Sequence, residues 1–165
     1  NRERHHLERS MAGKIEAKLA QLKIELPKAA APAANYVPYV VAGKTLYVAG
    51  QVTFWNGELK FLGKVGREFS IEQGQQAARL CALNIIAQAK AACDGDLDRI
   101  KRICKVGGFV NCPPDFTDHP KVVNGASDLF VEVFGDAGKH ARFAVGAGSL
   151  PLNVAVEVDA IIELA

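Results

Sequence analysis

One arginine and one glutamate near the C-terminal end of the sequence are the residues best suited to act on a small acid. Arg142 lies in HARFAVGAG, at the start of a segment that is otherwise small and apolar, and Glu157 lies in NVAVEVDA. A guanidinium keeps its proton at physiological pH and presents a planar fork of donors, which suits bidentate capture of a carboxylate. Two alternatives stay open: a structural salt bridge from Arg142 to Glu157 or Asp159, and a solvated strand carboxylate at Glu157.

The residues that follow Arg142 could let a ligand lie against the backbone. Ala144, Gly146 and Gly148 are small enough to leave N–H and C=O groups accessible. The sequence has no GxGxxG, GxxxxGK[ST] or GxSxG motif, so the usual nucleotide-phosphate loops and the nucleophile elbow are absent. These observations favour carboxylate binding.

Metal and cofactor binding are not expected. The four cysteines match no CxxC or zinc-finger spacing, and His119 and His140 belong to no HxxxH pattern. Residues 1–10, NRERHHLERS, are interpreted as a tag-like or disordered extension, so His5 and His6 are not taken as metal ligands. Because that segment lacks the apolar core of a secretory signal, we expect reduced thiols and a cytoplasmic protein.

Composition and charge argue against several classes of partner. The 165 residues are 49% apolar and 23% charged, as in an ordinary globular domain. Twenty Lys and Arg against 18 Asp and Glu leave a net charge of +2, too little for a protein that binds nucleic acid or a membrane surface by charge. Charged residues interrupt each apolar run before it reaches the roughly 20 residues that a membrane span needs.

The elements that would position these residues form one α+β domain over residues 11–165, with a helix and linker over 11–35 and a core over 36–165. Spacing of apolar residues distinguishes helices from strands, and Gly or Pro separates them. A capping box at Ser70 and Gln73 makes the longest helix the clearest element. The predicted order is a helix over 12–24, strands over 36–41, 44–52 and 59–62, a helix from Ser70 that ends at Gly95, a strand over 100–112, a helix over 120–134, and strands over 141–147 and 154–164.

The last predicted strand carries its charges on one face. Because side chains alternate along a strand, Glu157 and Asp159 share the face opposite to Val156 and Val158. Helices that cluster on one side of a mixed sheet would leave this charged face uncovered. We therefore expect several chains to assemble, with polar groups lining a cleft between subunits.

Several longer stretches resemble one known family. They are PYVVAGKTLYVAGQV at 38–52, GREFSIEQGQQAARLCALNIIAQAK at 66–90, IKRICKVGGFVNC at 100–112, DFTDHPKVVNGASDLFVEVFG at 115–135 and ARFAVGAGSLPLNVAVEVDAII at 141–162. In this order they resemble the RidA family, also called the YjgF or L-PSP endoribonuclease family. The N-terminal helix and the VNGASDLFVEVFG segment are typical of a bacterial subgroup distinct from the founding RidA branch.

The resemblance implies a chorismate-mutase-like α+β fold that assembles as a homotrimer, with three clefts between subunits. The best-understood members of the family hydrolyse reactive 2-imino or enamine acids to 2-oxo acids and ammonia, without metal or cofactor. By this resemblance, Arg142 holds the carboxylate of an imine or 2-oxo acid ligand, and Glu157 positions the attacking water. The other pocket positions of the family fall on Tyr39, Gly50, Asn124 and Ala144.

Three positions depart from the family pattern and keep other functions open. Ala49 stands where a small hydroxyl residue is common, Ala144 stands where a cysteine is common, and Phe143 replaces a small residue and could narrow the pocket. A non-catalytic trimer that binds small carboxylates or regulates a partner is therefore the main alternative. Ribonuclease activity is a weaker one, because the near-neutral charge gives little attraction for RNA.

Overall fold

The computed structural model describes residues 13–31 and 35–165, so the predicted extension over residues 1–10 lies outside the described part. Among the helices described, none is both long enough and apolar enough to cross a membrane. The helices are α1 (Lys14–Gln21), α2 (Ile71–Ala92) and α3 (His119–Phe134). The strands are β1 (Tyr39–Ala42), β2 (Thr45–Gln51), β3 (Phe54–Trp55), β4 (Glu58–Leu59), β5 (Ile100–Asn111), β6 (Ala141–Ala147) and β7 (Val156–Leu164).

The main sheet has five strands in the order β1-β2-β7-β5-β6. β5 and β6 are parallel and joined by α3 as a crossover, whereas the other neighbouring pairs are antiparallel. α2 and α3 pack against each other and against one face of this sheet, where Ile85, Leu129 and Phe130 are buried. The predicted two-layer α+β fold is confirmed, and its core lies between the sheet and these two helices.

The long helix α2 begins and is buried as its sequence predicts. Ser70 Oγ accepts the backbone N–H of Gln73 at 3.2 Å, and Gln73 Oε1 accepts the backbone N–H of Ser70 at 2.9 Å. These two bonds complete the capping box. Ala78, Cys81 and Ile85, at steps of three and four residues, lie on its buried face.

The small hairpin of β3 and β4 departs from the prediction. Asn56 and Gly57, at φ +50° and +85°, make the tight turn between the two strands. The strand predicted over 59–62 is wrong after Leu59, because Phe61 adopts φ +52° and leaves the extended region. β4 is therefore shorter than expected.

Polar contacts tie α1 and the linker after it to the core. The carboxylate of Asp98 accepts the backbone N–H groups of Lys14 and Ile15, each at 2.9 Å, where α1 begins. Farther along the linker, the side-chain amide of Gln88 donates to the carbonyl oxygen of Ala30 at 2.8 Å. The linker therefore lies against α2 at this point.

The face of the sheet opposite the helices is partly apolar. Phe109 and Phe143 meet edge to face there, with 5.4 Å between ring centroids, and Tyr47 and Val145 are exposed on the same face. Gly107 makes the close approach possible, because a Cβ at this position would collide with the ring of Phe143. Apolar side chains exposed on one face are typical of surfaces that contact other proteins.

Candidate functional site

Arg142 points toward the helix layer from the edge strand β6. It pairs across the parallel ladder with Val106, which is buried beneath the helices. Its Nη1 donates to Asn124 Oδ1 at 2.9 Å and to Ser127 Oγ at 3.1 Å, and its Nη2 donates to the carbonyl oxygen of Pro120 at 3.4 Å. Within the described part of the chain its partners are neutral acceptors, so the salt bridge considered from the sequence is wrong and the positive charge is not neutralised.

Ser127 and His140 continue the hydrogen-bond chain behind Arg142. Ser127 Oγ lies 2.8 Å from His140 Nε2, and His140 Nδ1 lies 2.7 Å from the carbonyl oxygen of Gly138. Because Nδ1–H donates to that carbonyl, Nε2 of the neutral ring accepts the serine hydroxyl. Burial lowers the pKa of His140, which favours this neutral ring. Sequence reasoning missed both residues, although the (i, i+3) spacing of Asn124 and Ser127 on one helix is a usable signal.

Glu157 points to the opposite face of the sheet. On β7 it alternates with Val156 and Val158, which are buried under the helices. Its side chain is half-buried, and a Cβ at Gly50 would lie 3.1 Å from its carboxyl carbon. Burial, and secondly the charge of Asp159, raise the pKa of Glu157. Glu157 is thus not the fully solvated carboxylate that the sequence left open.

A cavity of about 380 Å³ opens beside Glu157. Ala49 and Gly50 of β2 lie in its lining, together with Tyr36. Tyr39, the tyrosine expected here, instead lines a neighbouring cavity of about 280 Å³ that Ala49 also borders. The structure therefore brings Gly50 next to Glu157 and places Tyr39 on the far side of Ala49.

The remaining predicted positions lie with Arg142. Asn124 is its hydrogen-bond partner, and Ala144 is two residues farther along β6 on the same face. Phe143 packs on the other face with Phe109, so within one chain its ring does not lie beside Arg142. Among the residues that the structure describes, no three metal-ligating side chains lie together.

The candidate residues form two half-sites on opposite faces of one sheet. We call Arg142, Asn124, Ser127 and Ala144 the arginine half-site, and Glu157, Gly50 and the adjoining cavity the glutamate half-site. In the arginine half-site, Arg142 and Ala144 face the helices from β6, and Asn124 and Ser127 lie on α3. The glutamate half-site lies on β7 and β2 and faces away from the helices. β5 lies between β6 and β7. A small substrate within one chain cannot reach both charged groups through these strands, so a site that uses both needs two chains.

Known proteins resemble this chain over nearly its whole length. The family described as "YjgF/chorismate mutase-like, putative endoribonuclease" matches residues 16–164. Protein TCP17 of Trypanosoma cruzi is 49% identical over 154 residues, which cover 93% of this chain and 96% of that protein. The structure of Atu1372 from Agrobacterium tumefaciens is 48% identical, with a TM-score of 0.86 and 92% of each chain covered.

A structure from Shewanella oneidensis is 39% identical, with a TM-score of 0.88, and the match covers 92% of this chain and 100% of that one. These matches include the segments that carry both half-sites, since the family match runs through β6 and β7. The chain therefore belongs to the YjgF/RidA family, in a subgroup with Atu1372 that diverges from RidA itself.

Proposed function

We propose that this protein hydrolyses 2-imino acids, and the enamines in equilibrium with them, to 2-oxo acids and ammonia. Membership of the YjgF/RidA family supports the proposal, and the single observation that carries it is the fixed guanidinium of Arg142, whose charge no carboxylate of the described residues neutralises. An imino acid offers this group a carboxylate one bond away from the carbon that water attacks. The iminium carbon is already electrophilic, so the reaction requires no cofactor.

In this proposal Arg142 binds and orients the substrate. Both N–H groups of its Nη1 are used on Asn124 and Ser127, which fixes the plane of the guanidinium before a ligand arrives. The edge formed by Nε and Nη2 still has donors for the two oxygens of a carboxylate. Holding the substrate in this way removes part of the entropic barrier to attack by water.

Glu157 of a neighbouring chain would then hold the attacking water. Its raised pKa makes the ionised carboxylate a better proton acceptor near neutral pH. The water oxygen bonds to the iminium carbon, a proton passes through the carboxylate to the nitrogen, and the C–N bond breaks. In balance, R–C(=NH₂⁺)–COO⁻ and H₂O give R–CO–COO⁻ and NH₄⁺.

The proposal includes a homotrimer with the site between neighbouring chains. Because the half-sites lie on opposite faces, the arginine half-site of one chain must meet the glutamate half-site of the next. The apolar side chains of Tyr47, Phe143 and Val145 on the uncovered face supply a surface for this contact. A closed ring of three chains would give three equal clefts. Sedimentation velocity measures the number of chains.

Ammonia release from freshly generated 2-iminopropanoate, measured above the rate without enzyme, tests the function. Arg142→Ala should lower kcat/KM by about 100-fold or more, because the substrate carboxylate loses its partner. Arg79→Ala is the matched control, since Arg79 forms an exposed ion pair with Glu132 at 3.2 Å, and it should keep full activity. Undiminished turnover by Arg142→Ala would refute the proposal.

A trimer that binds small carboxylates without turnover is the second candidate. The arginine half-site is complete without Glu157, and Ala49 and Ala144 provide neither the hydroxyl nor the thiol that are common at these positions in the family pattern. Pyruvate binding that depends on Arg142, in a protein that hydrolyses no imine, would select this function. Calorimetric titration of the wild type and Arg142→Ala makes that measurement.

A further inference from the structure

The cavity beside Glu157 is large and mostly apolar. Its volume of about 380 Å³ falls within the range of about 300–1,000 Å³ that is typical of sites for whole small molecules. A three-carbon imino acid placed against Glu157 would leave most of its walls untouched. The apolar lining includes Ala30 and Ala31 of the linker, Val52 and Phe54 after β2, and Pro151 and Leu152 of the loop before β7.

Few polar side chains of the lining are free to hydrogen-bond a ligand, so the interior of the cavity suits an apolar group. Gln51 Nε2 donates to the carbonyl oxygen of Ala49 at 3.0 Å, and its Oε1 accepts from the amide of Gln88 at 3.4 Å. The amide of Gln51 is therefore already used, and Glu157 and Tyr36 are the lining side chains left to bind a polar atom. A substrate whose reacting carbon lies at Glu157 would direct an apolar side chain into this space.

Leu152 lies in the lining in a backbone conformation that leucine rarely adopts. Its φ is +58°, in the left-handed region, and the residue is 61% exposed. The loop is held on both sides, because the carbonyl of Asn153 accepts the N–H of Gly63 at 2.8 Å and Val154 donates to the carbonyl of Pro151 at 3.2 Å. Strained residues of this kind cluster at ligand sites, and an apolar guest would cover this leucine.

The linker wall of the cavity is equally well held. Gln88 donates to the carbonyl of Ala30 at 2.8 Å, and Asn56 Oδ1 accepts the backbone N–H of Lys28 at 2.8 Å. Both anchors belong to the folded core, one on α2 and the other in the turn between β3 and β4. The linker and the Leu152 loop therefore set the width of the cavity before any ligand binds.

We propose that this cavity takes the side chain of the substrate and selects imino acids with bulky apolar side chains, branched aliphatic or aromatic, over 2-iminopropanoate. The inference rests on the proposed hydrolase function and names its substrate class. The reaction at the imine carbon is unchanged: water adds, the C–N bond breaks and ammonium leaves. One additional methylene in an apolar pocket is worth about 10- to 200-fold in discrimination.

Imino acids made in place from leucine, phenylalanine and alanine by an amino-acid oxidase test this selection. We expect kcat/KM for the first two to be at least about tenfold above the third. Leu152→Asn should lower the ratio of the leucine-derived to the alanine-derived value by about tenfold. Asparagine tolerates the left-handed backbone, so this variant removes the apolar side chain without straining the loop.

Ala31→Phe gives a second route to the same result, because the added ring on the exposed linker should fill the cavity and exclude bulky substrates selectively. Val131→Asn is the matched control: it removes an exposed apolar side chain from α3, outside the cavity, and should leave all three values unchanged. Equal values for the three imines in the wild type would overturn the selection and leave the hydrolase function standing. So would an equal loss for all three imines in Leu152→Asn.

Failure of the hydrolase function would give a different pattern, in which no imine is turned over. Binding of 4-methyl-2-oxopentanoate and pyruvate then decides the selection independently. Binding of the larger acid at least about tenfold tighter, lost in Leu152→Asn, would support the cavity as a side-chain site. Equal affinities would refute it.

Discussion

The two half-sites differ in how their charged groups are held. Arg142 is surrounded by neutral acceptors, and Ser127 is in turn held by His140, so the cation is fixed within the single chain. Glu157 is half-buried near the carboxylate of Asp159, so its ionised form is disfavoured. The binding group is therefore built in advance, whereas the proposed reacting group is destabilised until a positive charge approaches. In the proposed reaction, that charge is the iminium group of the substrate.

The largest predicted effect is the loss of turnover when either half-site is disabled. Turnover should return in part when the intact arginine half-site and the intact glutamate half-site come from different chains. Arg142→Ala and Glu157→Gln should each lower turnover by about 100-fold or more. When the two variants are unfolded together and refolded as an equal mixture, about a quarter of the clefts should be intact. Such a cleft takes its arginine from a Glu157→Gln chain and its glutamate from an Arg142→Ala chain. The ammonia assay on the mixture, against each variant refolded alone, measures the recovery.

The control for this mixture is Arg142→Ala refolded with the double variant Arg142→Ala/Glu157→Gln, which should stay inactive because no chain carries the arginine. Native mass spectrometry establishes that mixed assemblies have formed. If mixed assemblies of the two single variants remained as inactive as the variants alone, the half-sites would not share a cleft. The conclusion that the site needs two chains would then be wrong.

A smaller effect should follow from loosening the arginine half-site without removing its charge. Ser127→Ala deletes the hydroxyl between Arg142 and His140, and we expect KM to rise about tenfold while kcat changes by less than about twofold. His140→Phe should also raise KM and leave kcat nearly unchanged, because it removes the ring nitrogen that holds Ser127. The phenyl ring can still pack edge to face on Phe130, as the imidazole does. Ser149→Ala, on an exposed loop, should leave both constants unchanged. A fall in kcat with constant KM would contradict a positioning role.

The sequence predicts elements well where the signal is local. The capping box of α2 depends on residues three apart, and β6 is observed at Ala141–Ala147, as predicted. The strand predicted over 59–62 fails because the left-handed backbone at Phe61 accompanies packing of its ring against Phe69, at 5.9 Å between centroids. That contact depends on tertiary structure, and the neighbouring residues do not signal it.

For the candidate site, the sequence predicts which residues take part better than it predicts the face of the sheet on which each of them lies. Alternation along one strand places Glu157 and Asp159 together, but the side on which Arg142 lies depends on the register of β6 against β5. That register pairs two strands that α3 separates in the sequence, and no local pattern reveals it. For the same reason the sequence left the salt bridge open and missed Ser127.

The smallest predicted effect concerns the stability of the fold. The pKa of Glu157 is raised in the folded chain, so the folded state holds this proton more tightly than the unfolded state does. The stability that this proton contributes to the fold is present at pH values below the pKa of Glu157 in the unfolded chain. It is lost as the pH rises through the pKa of Glu157 in the folded chain. Glu157→Gln should therefore increase the free energy of unfolding at pH 7 by at most about 1 kcal/mol, since water screens a half-buried charge, and leave it unchanged near pH 4.

Urea unfolding of the wild type and the variant at the two pH values measures this difference. Glu163→Gln is the matched control, because Glu163 lies on the same strand and its side chain is 45% exposed in an ion pair with Lys101. It should change the free energy of unfolding by less than about 0.5 kcal/mol at either pH. A gain in stability at pH 7 combined with lost turnover in Glu157→Gln would mean that this carboxylate is kept at a cost to the fold. Equal or lower stability of the variant at pH 7 would mean that the two half-sites do not differ in this way.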